Sequence, residues 1–429
     1  MINNSILSLP PEIHSIDSVQ IPEVTVYHVA EVVPVYELYK ADSGVIMLEA
    51  IFYAGRPQES KFLTSSCCAP MMREGAGKYS SEELSEEIDY RGASISLMSS
   101  LDLITIRLVC LRKYYADMIS LLGEIVSRPH FDKKELDLFI KRRVERLQIE
   151  LAKNDIVSYR RLTESIYGSE NPYGYNSSKD RYESLEVMDI VKHYEATIRR
   201  NNCLIFVCGD VHVDDKELLE TFVHQIPAGG EKLNNLNLLP YQGTPSRMEV
   251  KGNPMQTSIK IGRKGLVRSH PDYYKLSFVN TLLGGFFGSR LVTNVRERLG
   301  LTYGIYSLMD NQLFDSCLMI STEVTNENVS RCLKEIYAEM ERLKSDRVGE
   351  EELALVKNYL MGNYLNLFDG PFNSIKAIKS LVLSDIPLDK MSSIIQTSAS
   401  LDSEGIMEMA QKYFNSEDYW EVIVGSPSL

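Results

Sequence analysis

The chain repeats itself, and that repeat limits its fold more than any other feature. Phe206-Val-Cys-Gly209 is a short apolar strand running into glycine, and Val422-Ile-Val-Gly425 is its copy at an offset of about 216 residues. Each strand follows a segment of helical character that closes in tyrosine, Val191-Lys-His-Tyr194 and Ala410-Gln-Lys-Tyr413. Further upstream, Leu121, Leu122 and Ile125 form the apolar stripe of one helix, and Ile336 and Met340 mirror it. A second helix is expected to start at Asp132, with Glu135 placed for a capping box and Leu136, Phe139, Ile140 and Val144 at helical spacing. Its counterpart carries Leu353, Val356 and Leu360. Landmarks that keep one offset predict two homologous halves rather than a shared generic rhythm.

Each half therefore reads as an α+β unit of about 210 residues. Val45–Ala54, Leu103–Cys110, Ser258–Ile261 and Cys317–Thr322 read as strands. They are not separated by a strict strand-helix alternation, so a mostly antiparallel sheet with helices packed on it is expected. Pro-Ala-Gly-Gly, Asn-Asn-Leu-Asn and Gly-Thr-Pro fall within 226–252. These turn-rich clusters predict a linker there, between halves at 1–225 and 253–429.

Charge excludes some partners. With 46 basic and 59 acidic residues the net charge is −13. Nucleic acid and anionic membrane are poor matches for such a chain, because affinity for them comes from neutralising phosphates. The start, MINNSILSLPPEIHS, has no basic region followed by an apolar one, and a cytoplasmic location is expected. Seven cysteines without C-x-x-C spacing suggest reduced thiols.

The stretch Leu282–Ser307, LLGGFFGSRLVTNVRERLGLTYGIYS, places Arg296 and Tyr303 seven residues apart, downstream of Gly284 and Gly285. Gly75, Tyr79-Ser-Ser-Glu-Glu-Leu84, Ile88-Asp-Tyr-Arg-Gly-Ala93, Tyr167-Gly168 and Asn171-Pro-Tyr-Gly174 accompany it. Together these segments resemble the pitrilysin/insulinase-type zinc peptidases, the group that includes mitochondrial processing peptidase. The resemblance covers nearly the whole chain.

The resemblance also implies a zinc helix just before Gly75, with the signature H-x-x-E-H. Two histidines four apart share a helical face and bind zinc, while the glutamate acts on the bound water. Those positions hold Ser66-Cys-Cys-Ala-Pro70. Ser66 and Pro70 stand where the histidines would be and Ala69 where the glutamate would be, so no metal site is expected. Pro70 is also expected to strain a helix interior. Glu150 matches the family's third ligand, a position at which an isolated carboxylate reads as a plain helix residue.

Other signatures fail. His28 and Glu31 lie in an apparently extended segment, where they share no helical face, and His14, His130, His193, His212, His224 and His270 are scattered. Gly75-Ala-Gly-Lys78 lacks the remainder of a phosphate loop, and there is no G-x-S-x-G elbow.

What remains is the family's other half-site. The resemblance implies that Arg296 and Tyr303 are catalytic, the phenol stabilising an oxyanion and the guanidinium holding peptide carbonyls. Gly284 and Gly285 would bring backbone close beneath the peptide, Ser289 would cap the helix carrying Arg296, and Ala93 and Ser94 would belong to the substrate-binding edge strand. The structural alternative is that Arg296 and Tyr303 belong only to a helix-turn-strand packing unit.

Some family members divide the work between two chains, one with H-x-x-E-H and one with the Arg/Tyr half. The expectation is a chain of the second kind, inactive alone and without its own cofactor, which contributes to metalloendopeptidase activity at zinc carried by a homologous H-x-x-E-H subunit. The alternative is a catalytically inactive scaffold or peptide-binding protein of the same fold, like the respiratory-chain core proteins. A third reading, a self-sufficient hydrolase with an unusual site, predicts stoichiometric metal on this chain. A homodimer of the isolated chain is left open.

Overall fold

The computed structural model describes residues 19–40, 43–234 and 243–426. Among the described residues eleven strands form two sheets. In chain order they are β1 Thr25–Val29, β2 Val33–Tyr39, β3 Val45–Phe52, β4 Ser94–Ser99, β5 Ile104–Leu111 and β6 Cys203–Gly209, then β7 Arg247–Lys251, β8 Thr257–Lys264, β9 Thr302–Asn311, β10 Ser316–Val324 and β11 Trp420–Gly425. The first sheet runs β1-β2-β6-β3-β5-β4 and the second β7-β11-β8-β10-β9.

Setting β1 aside, the two orders superpose strand for strand. Each sheet is antiparallel except for one pair, β2 with β6 and β7 with β11. The predicted duplication and the α+β class are thus present in topology. The expected linker is shorter than 226–252, because Arg247–Lys251 within it pairs with β11 and opens the second sheet.

One face of each sheet packs on helices of its own half. Met71, Leu122, Ile125 and Phe222 join β3, β5 and β6 in the first core, and Ile336, Met340, Ile406 and Phe414 join β8 and β10 in the second. The predicted helix after Asp132 spans Lys133–Leu151. Asp132 caps it by accepting the Lys134 amide at 2.7 Å, without the reciprocal Glu135 bond of a full capping box.

The opposite faces are covered by exchange. The helix Asn154–Tyr167 belongs to the first half but lays Leu162, Ile166 and Tyr167 on Cys317, Met319 and Val422 of the second sheet. Its counterpart Pro371–Leu383, from the second half, lays Ile375 and Ile378 on Met47, Ile51 and Phe206 of the first sheet. This explains why β3, β6 and β10 are buried at nearly every position instead of at alternate ones, since strands covered on both faces lose alternation. Each half thus completes the other's core.

Charge follows the same exchange. Glu49 on β3 is fully buried and holds Arg107 of β5 at 2.5 Å and Lys379 of the exchanged helix at 2.7 Å. At the matching place on β8, Lys260 is 1% exposed and pairs with Asp155 of the other exchanged helix and with Ser321 of β10. Other bonds cross between the halves. Tyr159 donates to Asp310 at 2.7 Å, the Leu313 amide donates to Asp102 at 3.0 Å, and Asn154 clamps the backbone of Asn253 and Gln256.

Candidate functional site

The segment carrying Arg296 is wound unusually. Thr281–Gly285 and Val292–Arg298 are π-helical, a winding that is rare and concentrated at functional sites. Gly284 is needed at the first turn, since a Cβ there would lie 2.7 Å from the Ser307 amide nitrogen on β9. Gly285 is exposed beside it. The expected Ser289 cap is not made: its carbonyl accepts the Thr293 amide at 2.9 Å, as any residue's would, but its buried hydroxyl has no partner among the described residues.

Gly300, at φ +61°, lets the chain leave the helix and enter β9. Near its start β9 is bulged. Thr302 pairs with Val324 and Ile305 with Thr322, so Tyr303 and Gly304 together face Glu323 alone. Bulges of this kind re-aim side chains and are common beside active sites. Tyr303 emerges 92% exposed.

Arg296 is exposed as well, its guanidinium 5.1 Å from the ring centroid of Phe287, itself 65% exposed. Among the described residues neither the Tyr303 hydroxyl nor the Arg296 guanidinium has a hydrogen-bond partner. Their neighbour Arg298 is committed to Asn294. A cleft of about 720 Å³ behind this helix is lined by Arg290, Asn294, Arg298, Glu339, Arg342 and Glu352. Arg290 grips Glu352 through two bonds of 2.7 and 2.9 Å, so the cleft is held by its own ion pairs.

The place of the zinc helix is occupied by a helix of another kind. Thr64–Met72 takes in Pro70 past its first turn, so the helix forgoes the bond that position would otherwise donate to the Ser66 carbonyl. Its start is tied by the Glu59 carboxylate, which accepts from the amides of Leu63 and Ser65 and from the hydroxyls of Ser65 and Tyr175. Cys67, Cys68 and Ala69 are fully buried. Burial pushes the Cys67 thiol up to about 12 and the Cys68 thiol higher still, so neither offers a thiolate.

Glu150 pairs with Arg146 one helical turn away at 2.8 Å. Among the described residues no three His, Cys, Asp or Glu side chains are grouped to hold a metal, and Ser66 and Pro70 do not fit the zinc that the resemblance implies. His28 lies on β1 as expected, while His14 falls outside the described residues.

Ser94 opens β4, the edge strand of the first sheet, and is exposed, while Ala93 lies just before it. At the edge of the second sheet β9 is partly occupied by side chains, since Asn280 donates to the Ser307 carbonyl and Asn311 to the Met309 carbonyl. The sequence reading missed Thr302 and Thr322, whose hydroxyls surround Gly304. Threonine in a strand gives no signal of a bulge on its own.

Comparison with known proteins supplies the context. The family described as the peptidase M16 inactive domain matches residues 184–360. An uncharacterized zinc protease of Bacillus subtilis, YmxG, is 24% identical over 298 residues, covering 69% of this chain and 72% of that protein. A probable inactive metalloprotease of the same organism, YmfF, is 22% identical over 262 residues, covering 58% of this chain and 60% of the relative. The crystal structure of a peptidase M16 inactive domain from Pseudomonas fluorescens aligns with TM-score 0.87 and 21% identity, covering 95% of this chain and 98% of the other.

Proposed function

Since the chain belongs to the pitrilysin-type peptidase family, as an inactive member of it, we propose that it is the non-zinc subunit of a two-chain metalloendopeptidase. One observation carries this reading. Tyr303, at the bulge, stands 92% exposed, and Arg296 is exposed with no hydrogen-bond partner among the described residues, while the positions where the resemblance implies a zinc helix are filled by Ser66, buried thiols, Ala69 and Pro70. Polar groups held outward on a rigid strand and helix are suited to serve a reacting group supplied from elsewhere.

In this reading the partner is a homologous chain with H-x-x-E-H, whose zinc would supply the activated water and polarise the peptide carbonyl. Tyr303 donates a hydrogen bond to the oxygen as negative charge develops on it, a contact stronger in the transition state than in the ground state. Arg296 holds a substrate carbonyl in its fork, and the Phe287 ring 5.1 Å away limits where the guanidinium can point. Gly284 and Gly285 keep the chain close under the peptide, and Ala93 and Ser94 offer an edge along which it can align.

Mixing tests the proposal. The purified chain alone should cleave no fluorogenic peptide, and a zinc-bearing homologue should gain at least about tenfold in turnover on its addition. A partner that gains nothing, with the two chains nevertheless assembled, would favour the scaffold or peptide-binding alternative.

A further inference from the structure

We infer that Thr302 and Thr322 are positioning residues, whose paired hydroxyls lock the Tyr303–Gly304 bulge and so fix the direction of Tyr303. The inference rests on the role proposed for Tyr303.

The lock can be followed proton by proton, since a hydroxyl has one hydrogen to give and two lone pairs. The Gly304 amide donates to Thr302 Oγ1 at 3.1 Å. Thr302 donates in turn to the Glu323 carbonyl at 2.7 Å, on the strand opposite. Thr322 donates to the Gly304 carbonyl at 2.9 Å. Both backbone polar groups of Gly304 are thereby held by side chains, at the place where the extra residue breaks the ladder between β9 and β10. The Thr322 hydroxyl also lies 3.0 Å from Thr302 Oγ1, so its one proton is shared between that oxygen and the Gly304 carbonyl and ties the two side chains together.

Core packing does not ask for this hydroxyl. Along β10, Leu318, Ile320, Thr322 and Val324 share one face by strand alternation, and the other three belong to the apolar core. Thr322 is 3% exposed. Valine has the same shape and would pack in that row without a polar atom to satisfy, yet the position carries a hydroxyl spent on Gly304. Gly304 itself has nothing within 4 Å of where a Cβ would lie, so neighbouring side chains do not wedge the bulge.

The test uses Thr302→Val, Thr322→Val and Thr302→Ser in the full chain, with two readouts. Hydrogen exchange of the Gly304 amide reports the lock without any partner, and kcat and KM of the chain mixed with a zinc-bearing homologue report its consequence. Both valine variants should speed Gly304 exchange about tenfold or more and lower kcat by about tenfold to a hundredfold, the range expected when a catalytic group is misplaced by a fraction of an ångström to an ångström. KM should change little, and Thr302→Ser should restore both readouts. Unchanged Gly304 exchange in the valine variants would overturn the lock. Faster exchange with unchanged kcat, where Tyr303→Phe does lower kcat, would overturn the positioning role. Faster exchange with a harmless Tyr303→Phe would leave the lock standing and remove the catalytic reading of Tyr303 instead.

Discussion

Lys379, on a helix of the second half, reaches 2.7 Å from the carboxylate of Glu49, which is fully buried in the sheet of the first. The mirror contact, Asp155 with buried Lys260, carries the charges in the opposite order. The cost of breaking each pair depends on which member is left inside, because an uncompensated buried charge is expensive and an exposed one is not. Asp155 is 43% exposed and can return to water, whereas Lys260 cannot. Asp155→Ala should therefore cost about 3 kcal/mol and Lys260→Met within about 1 kcal/mol. Lys379→Met should cost about 2 kcal/mol, since Arg107 still holds Glu49. Urea unfolding measures all three, and equal costs for Asp155→Ala and Lys260→Met would contradict the argument.

Helix exchange predicts that neither half folds alone. A fragment ending in the 235–242 region would leave Met47, Ile51 and Phe206 without Ile375 and Ile378 above them. Such a fragment should be insoluble or expose apolar surface to a fluorescent dye, and co-expression of both pieces should yield a stable complex. A monomeric first half with a cooperative unfolding transition would show the exchanged helix to be dispensable.

Much of this was legible in the sequence, and the misses share a cause. Leu121, Ile125, Ile336 and Met340 announce their helices because periodicity is local, and the offset between Gly209 and Gly425 announces the repeat. β3 is apolar on both faces apart from Glu49, which says that both are covered but not by which half. β7, Arg-Met-Glu-Val-Lys, is largely exposed and has no apolar signature, so it vanished into the linker. The bulge at Tyr303 is a relation of register between two strands, and no residue of β9 states it alone. Arg296 and Tyr303 were found through resemblance, while their exposure and the hydroxyls behind Tyr303 needed coordinates.

Acid should weaken the fold through His193. The ring is 2% exposed and Nε2 bonds to the Ala54 carbonyl at 2.9 Å, while Nδ1 has no partner among the described residues. Burial holds its pKa below the ordinary 6.5. Above that value both folded and unfolded states are neutral and stability is unaffected. As pH falls below it, the unfolded chain takes a proton that the folded one refuses, and stability declines until the folded pKa is reached. His193→Gln should flatten the stability profile between about pH 7 and 5. An unchanged slope would mean that other groups set it.

The helix Thr64–Met72 makes a chemical prediction. Cys67 and Cys68 are fully buried with their thiols held protonated, so both should resist alkylation in the native protein and react at once after denaturation. Rapid labelling of either one under native conditions would mean that this helix opens readily.

The most direct measurement is turnover of the proposed two-chain enzyme with Tyr303→Phe in this chain and the zinc content of the zinc-bearing homologue held fixed. Tyr303 is 92% exposed, so the change should leave stability within about 0.5 kcal/mol and assembly intact. Loss of the phenol's hydrogen bond should lower kcat by about a hundredfold or more with little change in KM. A Tyr303→Phe chain that supports full turnover would contradict the claim that this subunit completes its partner's active site.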